Sequence, residues 1–306
     1  MELTAEQLQF YATYGYILLP QWLAPIVCNL EDELEAGLAA QYEDTPIGSQ
    51  WMWSRAAATP RRLTPTLAAL MENPLILRPA QQILGDDCLG LGVDIQRYVG
   101  DVDYHPDGRG PTPDWGLTAA KFMVYLDSVT ASSGALHIAP GSHLIANEKR
   151  EAFAQGIAAS AFHEVPATAL ETTPGDLIIF NIHCWHGSNG GGDNRRVINI
   201  DMFANPINAT AMTSMADLGA AHAAGRDAPV LRRFPWNYSL EWMSGGSAER
   251  ARWIERLREC GDYFSGEHVV EGGPVSVAPV ERPGAKARRE HAQRAAAMIP
   301  SGDSKL

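Results

Sequence analysis

Hydrophobic positions follow helical spacing in the N-terminal part of the chain. Apolar residues recur every three or four positions in four segments, which predicts helices over 4–14, 25–42, 63–72 and 75–85. Thr4 and Gln7 have the spacing of a capping box, and Gly15 marks the end of the first helix. The apolar run YILLP, which follows Gly15, predicts a short buried strand.

From about Leu89 the pattern changes to short apolar runs separated by turn residues. These runs are 89–99, 119–129, 134–143, 163–167, 175–186 and 195–204. Such a pattern is typical of an antiparallel β-barrel or β-sandwich. An amphipathic helix is predicted at 247–260, whereas 279–306 is poor in large apolar residues and is predicted to be a flexible tail.

The composition fits a globular protein and narrows the range of its partners. Apolar residues make up 45% of the 306 positions, which is enough for a sizeable core in one large domain or two small ones. The net charge of −12 disfavours nucleic acid as a partner. The four cysteines are far apart and lack C-x-x-C spacing, which disfavours a zinc site.

Two features of the chain bear on its location. No apolar run reaches eighteen residues and the N-terminus shows no secretory signal, so we expect a cytoplasmic protein without a membrane span. The chain ends in Ser304-Lys305-Leu306, a tripeptide that serves as a peroxisomal address in eukaryotes. If the source is eukaryotic, the expected location is therefore peroxisomal.

A histidine and a carboxylate two residues apart follow the apolar run VDIQRYV. In extended backbone His105 and Asp107, which lie in the segment DYHPDGRG, point to the same side. Taken alone, the pair is better explained as part of a solvated turn. His186 changes this interpretation, because strand alternation places it on the same apolar face as Phe180 and Ile182.

Two histidines and one carboxylate with open positions are the ligand set of non-haem Fe(II) oxygenases. After His186 the chain continues through a Gly/Asn/Asp loop to Arg195 and Arg196, at the start of the next predicted strand. An arginine at this point suits a bidentate clamp on the carboxylate of a cosubstrate. His183 falls on the opposite face of its strand, and we expect a packed or surface residue there.

The motifs occur in an order that characterises one enzyme family. HPD at 105–107, PGSH at 140–143 and the glycine-to-arginine pattern of 175–195 all lie within residues 3–203. On these residues the chain resembles the phytanoyl-CoA dioxygenase family of Fe(II)/2-oxoglutarate-dependent oxygenases. The resemblance implies a mainly β fold with flanking helices, a cupin-like jelly roll also called a double-stranded β-helix. We expect this domain, with its N-terminal helices, to span 1–278.

The resemblance also implies roles for individual residues. It assigns Fe(II) to His105, Asp107 and His186, and the distal carboxylate of 2-oxoglutarate to an arginine. Alignment of the family's pattern on the run RRVI favours Arg195, with Arg196 as the second choice.

Three further residues are candidates for contacts in the pocket. Lys121 lies in an apolar strand, where it would pair with an acid or contact the 2-oxoglutarate carboxylate. Trp115 and Arg109 follow Asp107 in the same loop and are the candidate substrate contacts. The PGSH histidine, His143, is expected to make structural hydrogen bonds.

The expected activity uses Fe(II), 2-oxoglutarate and O2 to hydroxylate, desaturate or cyclise a small-molecule metabolite, with succinate as coproduct. Asp107 favours these outcomes over halogenation, because halogenating relatives carry a small residue in its place. A cupin-like isomerase or dioxygenase without 2-oxoglutarate is disfavoured by the arginine after His186. An acyl-CoA 2-hydroxylase of peroxisomal type and a catalytically idle cupin-like binding protein both stay open as hypotheses.

Overall fold

The computed structural model describes residues 1–42, 45–107, 116–224, 238–261 and 263–264. Its helices are α1 (Ala5–Tyr14), α2 (Val27–Gln41), α3 (Pro65–Ala68), α4 (Pro74–Leu84), α5 (Asn147–Ala159), α6 (Ala209–Ala224), α7 (Leu240–Ser244) and α8 (Ala248–Cys260). Its strands are β1 (Tyr16–Leu19), β2 (Met52–Arg55), β3 (Leu89–Tyr98), β4 (Val102–His105), β5 (Ala119–Tyr125), β6 (Leu136–Ile138), β7 (Thr168–Leu170), β8 (Leu177–Asn181), β9 (His186–Ser188) and β10 (Arg195–Phe203).

The strands form two antiparallel sheets. The six-stranded sheet has the order β1-β8-β5-β10-β3-β2, and the four-stranded sheet has the order β4-β9-β6-β7. A small apolar core that includes Met123, Leu136, Phe180 and Val197 draws its residues from both sheets. The predicted mainly β architecture with flanking helices is confirmed.

The N-terminal helices form where the hydrophobic pattern predicts them. In α1 the Oγ1 of Thr4 accepts from the amide of Gln7 at 3.2 Å, and the Gln7 side chain accepts from the Thr4 amide at 2.9 Å, which completes the capping box. Gly15 ends this helix at φ 81°, a conformation that favours glycine. In α2 the buried Leu30 and Leu34 lie one turn apart in the larger apolar core, against the six-stranded sheet.

Three helices, α5, α6 and α7, were not predicted from the pattern. No residue of α5 is buried, so this helix carries no apolar stripe that a periodicity argument could detect. The run Ala209–Ala224 that forms α6 is rich in alanine and methionine, and its apolar residues are not confined to one face. The predicted strand at 163–167 is wrong, since a short 3-10 turn at Phe162–Glu164 precedes β7.

The prediction of one continuous strand over 175–186 is also wrong. The chain leaves the six-stranded sheet after Asn181 and enters the four-stranded sheet at His186. A turn separates the two strands, in which the amide of Cys184 donates to the carbonyl of Asn181 at 2.9 Å. The Asn181 side chain also accepts from the amide of His183 at 3.0 Å, and this local hydrogen bonding competes with a continuous strand.

Several sequence predictions fall outside the described residues. They are the loop residues Arg109 and Trp115, and the tail at 279–306 with its terminal Ser304-Lys305-Leu306. Within the described residues, no helix is both long and apolar enough to cross a membrane.

Candidate metal centre

Strand pairing brings the two predicted histidine ligands together. β4 and β9 are antiparallel neighbours with His105 opposite His186, and the two ring centroids lie 4.5 Å apart. Asp107 follows β4, and its amide donates to the carbonyl of Ile182 at 2.9 Å, in the turn before β9. One ligating atom from each of the three residues lies within 4.8 Å of the others.

Backbone carbonyls orient both imidazoles. The Nδ1 of His105 lies 2.7 Å from the carbonyl of Asp103, and the Nδ1 of His186 lies 2.9 Å from the carbonyl of Cys184. A carbonyl is a hydrogen-bond acceptor, so each Nδ1 carries a proton and each Nε2 is the ring nitrogen that faces Asp107. Both Nε2 atoms lie 3.6 Å from an oxygen of Asp107, which is too far for a hydrogen bond. Three potential ligand atoms therefore converge, and this arrangement fits a divalent metal ion.

The ionisation states of His186 and Asp107 suit metal binding as well. Burial lowers the pKa of His186 to about 4, so its imidazole is neutral at physiological pH. Burial opposes the charged form of Asp107, but the positive charge of Lys121 outweighs this effect and holds its pKa well below the usual value. A neutral imidazole and an ionised carboxylate are the forms in which these side chains bind metals.

Lys121 lies beside the cluster and contacts two acids. Its Nζ is 2.9 Å from Oδ2 of Asp107 and 3.6 Å from Oδ1 of Asp201. Burial disfavours the ammonium, but the two carboxylates outweigh this and raise the pKa of Lys121. Of the two contacts considered from the sequence, the described structure contains the pairing with an acid.

Arg195, the first residue of β10, has unused hydrogen-bonding capacity in the same pocket. Its Nη2 donates to Oγ of Ser188 at 3.0 Å and to the carbonyl of Gly100 at 3.4 Å. Its Nε and Nη1 are buried without a hydrogen-bond partner, although the residue is only 6% exposed. Buried guanidinium donors without an acceptor are costly, and a bound carboxylate would satisfy them.

Arg196 lies on the other side of the strand and is already paired. Its Nη2 donates to Oδ1 of Asp127 at 2.7 Å, and its Nε donates to the same oxygen at 3.0 Å. Glu31 and Glu35 of α2 lie 3.5 Å from the guanidinium. Arg196 is therefore committed to an ion-pair network outside the pocket.

The cluster and Arg195 line one cavity of about 410 Å³. Its lining also includes Trp51, Tyr98, Tyr104, Met123, Leu136 and Asn199. Sequence reasoning did not single out Tyr104 or Asn199. Asn199 could have been found, because it lies four residues after Arg195 in β10 and therefore faces the same side.

The other two histidines of the motifs lie outside the cluster. The Nε2 of His183 is 3.0 Å from the carbonyl of Leu117, and the Nε2 of His143 is 3.3 Å from the carbonyl of Ala12 in α1. Burial lowers the pKa of both residues, so both are neutral packing groups.

An antiparallel two-sheet fold that carries a His–Asp–His cluster and a buried arginine defines the class of jelly-roll non-haem iron oxygenases. The sequence pattern of the phytanoyl-CoA dioxygenase (PhyH) family matches residues 11–197, and the chain belongs to this family. It is an Fe(II)/2-oxoglutarate-dependent dioxygenase.

The sequence identity to individual relatives is low. The dioxygenase LolE1 of Epichloe uncinata is 27% identical over 204 residues, which cover 58% of this chain and 73% of that protein. The nogalamycin carbocyclase SnoK superposes with a TM-score of 0.52 at 22% identity, over 67% of this chain and 85% of SnoK. EctD from S. alaskensis, solved with 2-oxoglutarate and 5-hydroxyectoine, has a TM-score of 0.51 at 22% identity, over 66% and 77% of the two chains. These superpositions confirm the predicted jelly roll.

Proposed function

We propose that this protein hydroxylates a small-molecule metabolite, with His105, Asp107 and His186 as the ligands of Fe(II) and Arg195 as the clamp for 2-oxoglutarate. The observation that carries this proposal is that one cavity contains both a candidate metal site and a buried arginine. Three convergent ligand atoms share it with a buried guanidinium that has two unused donors. Neither feature alone distinguishes an oxygenase from another metal protein.

Bound Fe(II), with 2-oxoglutarate and O2, supplies the oxidising chemistry, and the protein supplies orientation and a dry site. The Nε2 atoms of His105 and His186 would hold the metal, while their Nδ1–H groups donate to backbone carbonyls. Nε and Nη1 of Arg195 donate to the distal carboxylate of 2-oxoglutarate, and Nη2 stays on Ser188. His186 and Arg195 are nearly inaccessible, which limits water at this end of the cavity.

Asp107 determines the class of product. As an ionised carboxylate it occupies a metal position that a halide would otherwise fill, so insertion of oxygen is favoured over halogenation. Desaturation and ring closure use the same ligand set. The substrate's own geometry therefore decides among these outcomes.

The lining of the cavity, which is partly aromatic and partly polar, favours a small substrate. The described lining provides the rings of Trp51, Tyr98 and Tyr104, which suit an apolar or ring-bearing molecule. An acyl-CoA would need cations for its phosphates, but the lysine and arginine side chains of the described lining are Lys121, which is paired, and Arg195, which is assigned to 2-oxoglutarate. The names of the relatives, which mention a carbocyclase and 5-hydroxyectoine, also support a small molecule.

Anaerobic titration with Fe(II) and 2-oxoglutarate tests the proposal. The protein should develop a weak visible charge-transfer band, which an idle binding protein would not show. Succinate formation should then identify the substrate when metabolite pools are screened in air. Absence of the band at saturating Fe(II) and 2-oxoglutarate would rule out the assigned site.

A further inference from the structure

The carboxylate of Asp107 presents one oxygen to each imidazole. Its Oδ1 lies 3.6 Å from Nε2 of His105, and its Oδ2 lies 3.6 Å from Nε2 of His186. These equal distances do not select one oxygen as the metal ligand. A carboxylate in this position can give a metal ion either one oxygen or both.

Lys121 removes this equivalence. Its ammonium lies 2.9 Å from Oδ2, which is its closest approach to this carboxylate. The contact is an ion pair between the ammonium and the carboxylate. The ammonium therefore acts on Oδ2 mainly through its charge.

The sheet holds Lys121 in this position. Lys121 in β5 is directly opposite Asp201 in β10, and its Nζ lies 3.6 Å from Oδ1 of Asp201. The nearby Arg55 is engaged by Asp94, with Nε 2.9 Å from Oδ1. Lys121 is thus the ion-pair partner of Asp201 among the described residues, and strand register holds the ammonium between Asp201 and Asp107.

We propose that Lys121 is a positioning residue that keeps Oδ2 of Asp107 away from the metal, so that Asp107 binds through Oδ1 alone. The proposal rests on the proposed function of the cluster as an Fe(II) site. A metal ion bound to Oδ2 would lie close to the ammonium, and the two positive charges would repel each other. Binding through one oxygen leaves an additional metal position open for 2-oxoglutarate or O2.

Removal of the ammonium should raise the affinity for the metal and lower the affinity for 2-oxoglutarate. The metal should bind more tightly, because a nearby positive charge is lost and a second oxygen becomes available. 2-Oxoglutarate should bind the metal-loaded protein more weakly, because the second oxygen takes a position that the cosubstrate needs. A merely structural lysine would give a different result, since damage to the site would weaken both interactions together.

The test compares Asp201→Asn with the double variant Lys121→Met/Asp201→Asn. Loss of Lys121 alone would leave Asp201 buried without its partner and could unfold the protein, whereas the double variant removes both charges. Co(II) serves as the metal, because its visible absorption reports on coordination without O2 chemistry. We expect the double variant to bind Co(II) about tenfold more tightly and 2-oxoglutarate about tenfold more weakly than Asp201→Asn, with an altered Co(II) spectrum; each tenfold change corresponds to about 1.4 kcal/mol.

Lys149→Met is the matched control, since Lys149 is an exposed lysine of α5. It should change neither affinity, and thermal unfolding should show that every variant is folded. Equal affinities in Asp201→Asn and the double variant would overturn the proposal, as would parallel weakening of Co(II) and 2-oxoglutarate binding. If the wild type binds no Co(II), or if His186→Ala binds it equally well, the metal site itself is wrong and the positioning role fails with it.

Discussion

Arg195 and Ser188 join the two sheets beside the candidate metal centre, because Nη2 of the arginine donates to Oγ of the serine at 3.0 Å. Arg195 begins β10 in the six-stranded sheet, whereas Ser188 ends β9 in the four-stranded sheet. His186 begins the same short strand as Ser188. The hydrogen bond therefore sets the position of the guanidinium relative to a candidate metal ligand.

Arg195→Ala should weaken 2-oxoglutarate binding, whereas Arg196→Ala should have little effect. A charge-assisted hydrogen bond contributes about 1.5–3 kcal/mol, so loss of the clamp should raise the dissociation constant about tenfold or more. Arg196 is a matched control because it is paired with Asp127 outside the pocket. Titration of metal-loaded protein with 2-oxoglutarate measures both variants, and the reverse order would reassign the clamp to Arg196.

Gly191→Ala should weaken 2-oxoglutarate binding through Arg195. A Cβ at Gly191 would overlap Nη1 of Arg195 and lie 2.6 Å from the carbonyl of Gly100, so the guanidinium would have to move. At the adjacent Gly192, a Cβ would meet no atom within 4 Å. We expect roughly a tenfold loss for Gly191→Ala and no loss for Gly192→Ala, with metal binding unchanged in both. Equal behaviour of the two variants would show that Arg195 tolerates displacement.

His105→Ala, Asp107→Ala and His186→Ala should each abolish metal-dependent succinate formation while the protein stays folded. Each substitution removes one of the three proposed ligands, and the two that remain should hold the metal weakly. His183→Ala should retain most of the activity, because its Nε2 lies 3.0 Å from the carbonyl of Leu117 and outside the cluster. Metal content after desalting and turnover measure the four variants. If His183→Ala were inactive and His186→Ala active, His183 would replace His186 as the proposed ligand.

Asp107→Gly should make the metal site sensitive to chloride. The substitution removes the carboxylate but leaves the ammonium of Lys121, which lies 2.9 Å from Oδ2 in the wild type. An anion can then occupy the free position with a cation beside it. Added chloride should alter the visible spectrum of the Co(II)-loaded variant and leave that of the wild type unchanged. A wild-type spectrum that responds to chloride in the same way would argue against a carboxylate ligand at Asp107.

The sequence and the tertiary structure agree on the residues of the cluster for different reasons. Alternation along a single strand selected His186 over His183, but that strand is divided between two sheets. His186 reaches the pocket because it pairs with His105 across β4 and β9. Cross-strand register between distant segments cannot be read from the hydrophobic pattern of either segment.

The motif favoured Arg195 over Arg196, but it could not show how the surroundings of the two arginines differ. Arg195 and Arg196 are adjacent and chemically identical, and strand alternation sends them to opposite sides. The acids of α2 and the carboxylate of Asp127 neutralise Arg196. Because α2 is far from β10 in sequence, this pairing becomes visible only when the helix packs on the sheet.

Local periodicity and short motifs were enough to predict the β-rich class, the N-terminal helices and the spacing of the candidate ligands. The folded chain was needed to show that Lys121 lies between Asp107 and Asp201, and that Gly191 leaves space for the guanidinium of Arg195. The contact between Lys121 and Asp201 joins two strands, β5 and β10, that are distant in the chain. Their geometry depends on sheet order and register, and no local pattern encodes the distance between two side chains on different strands.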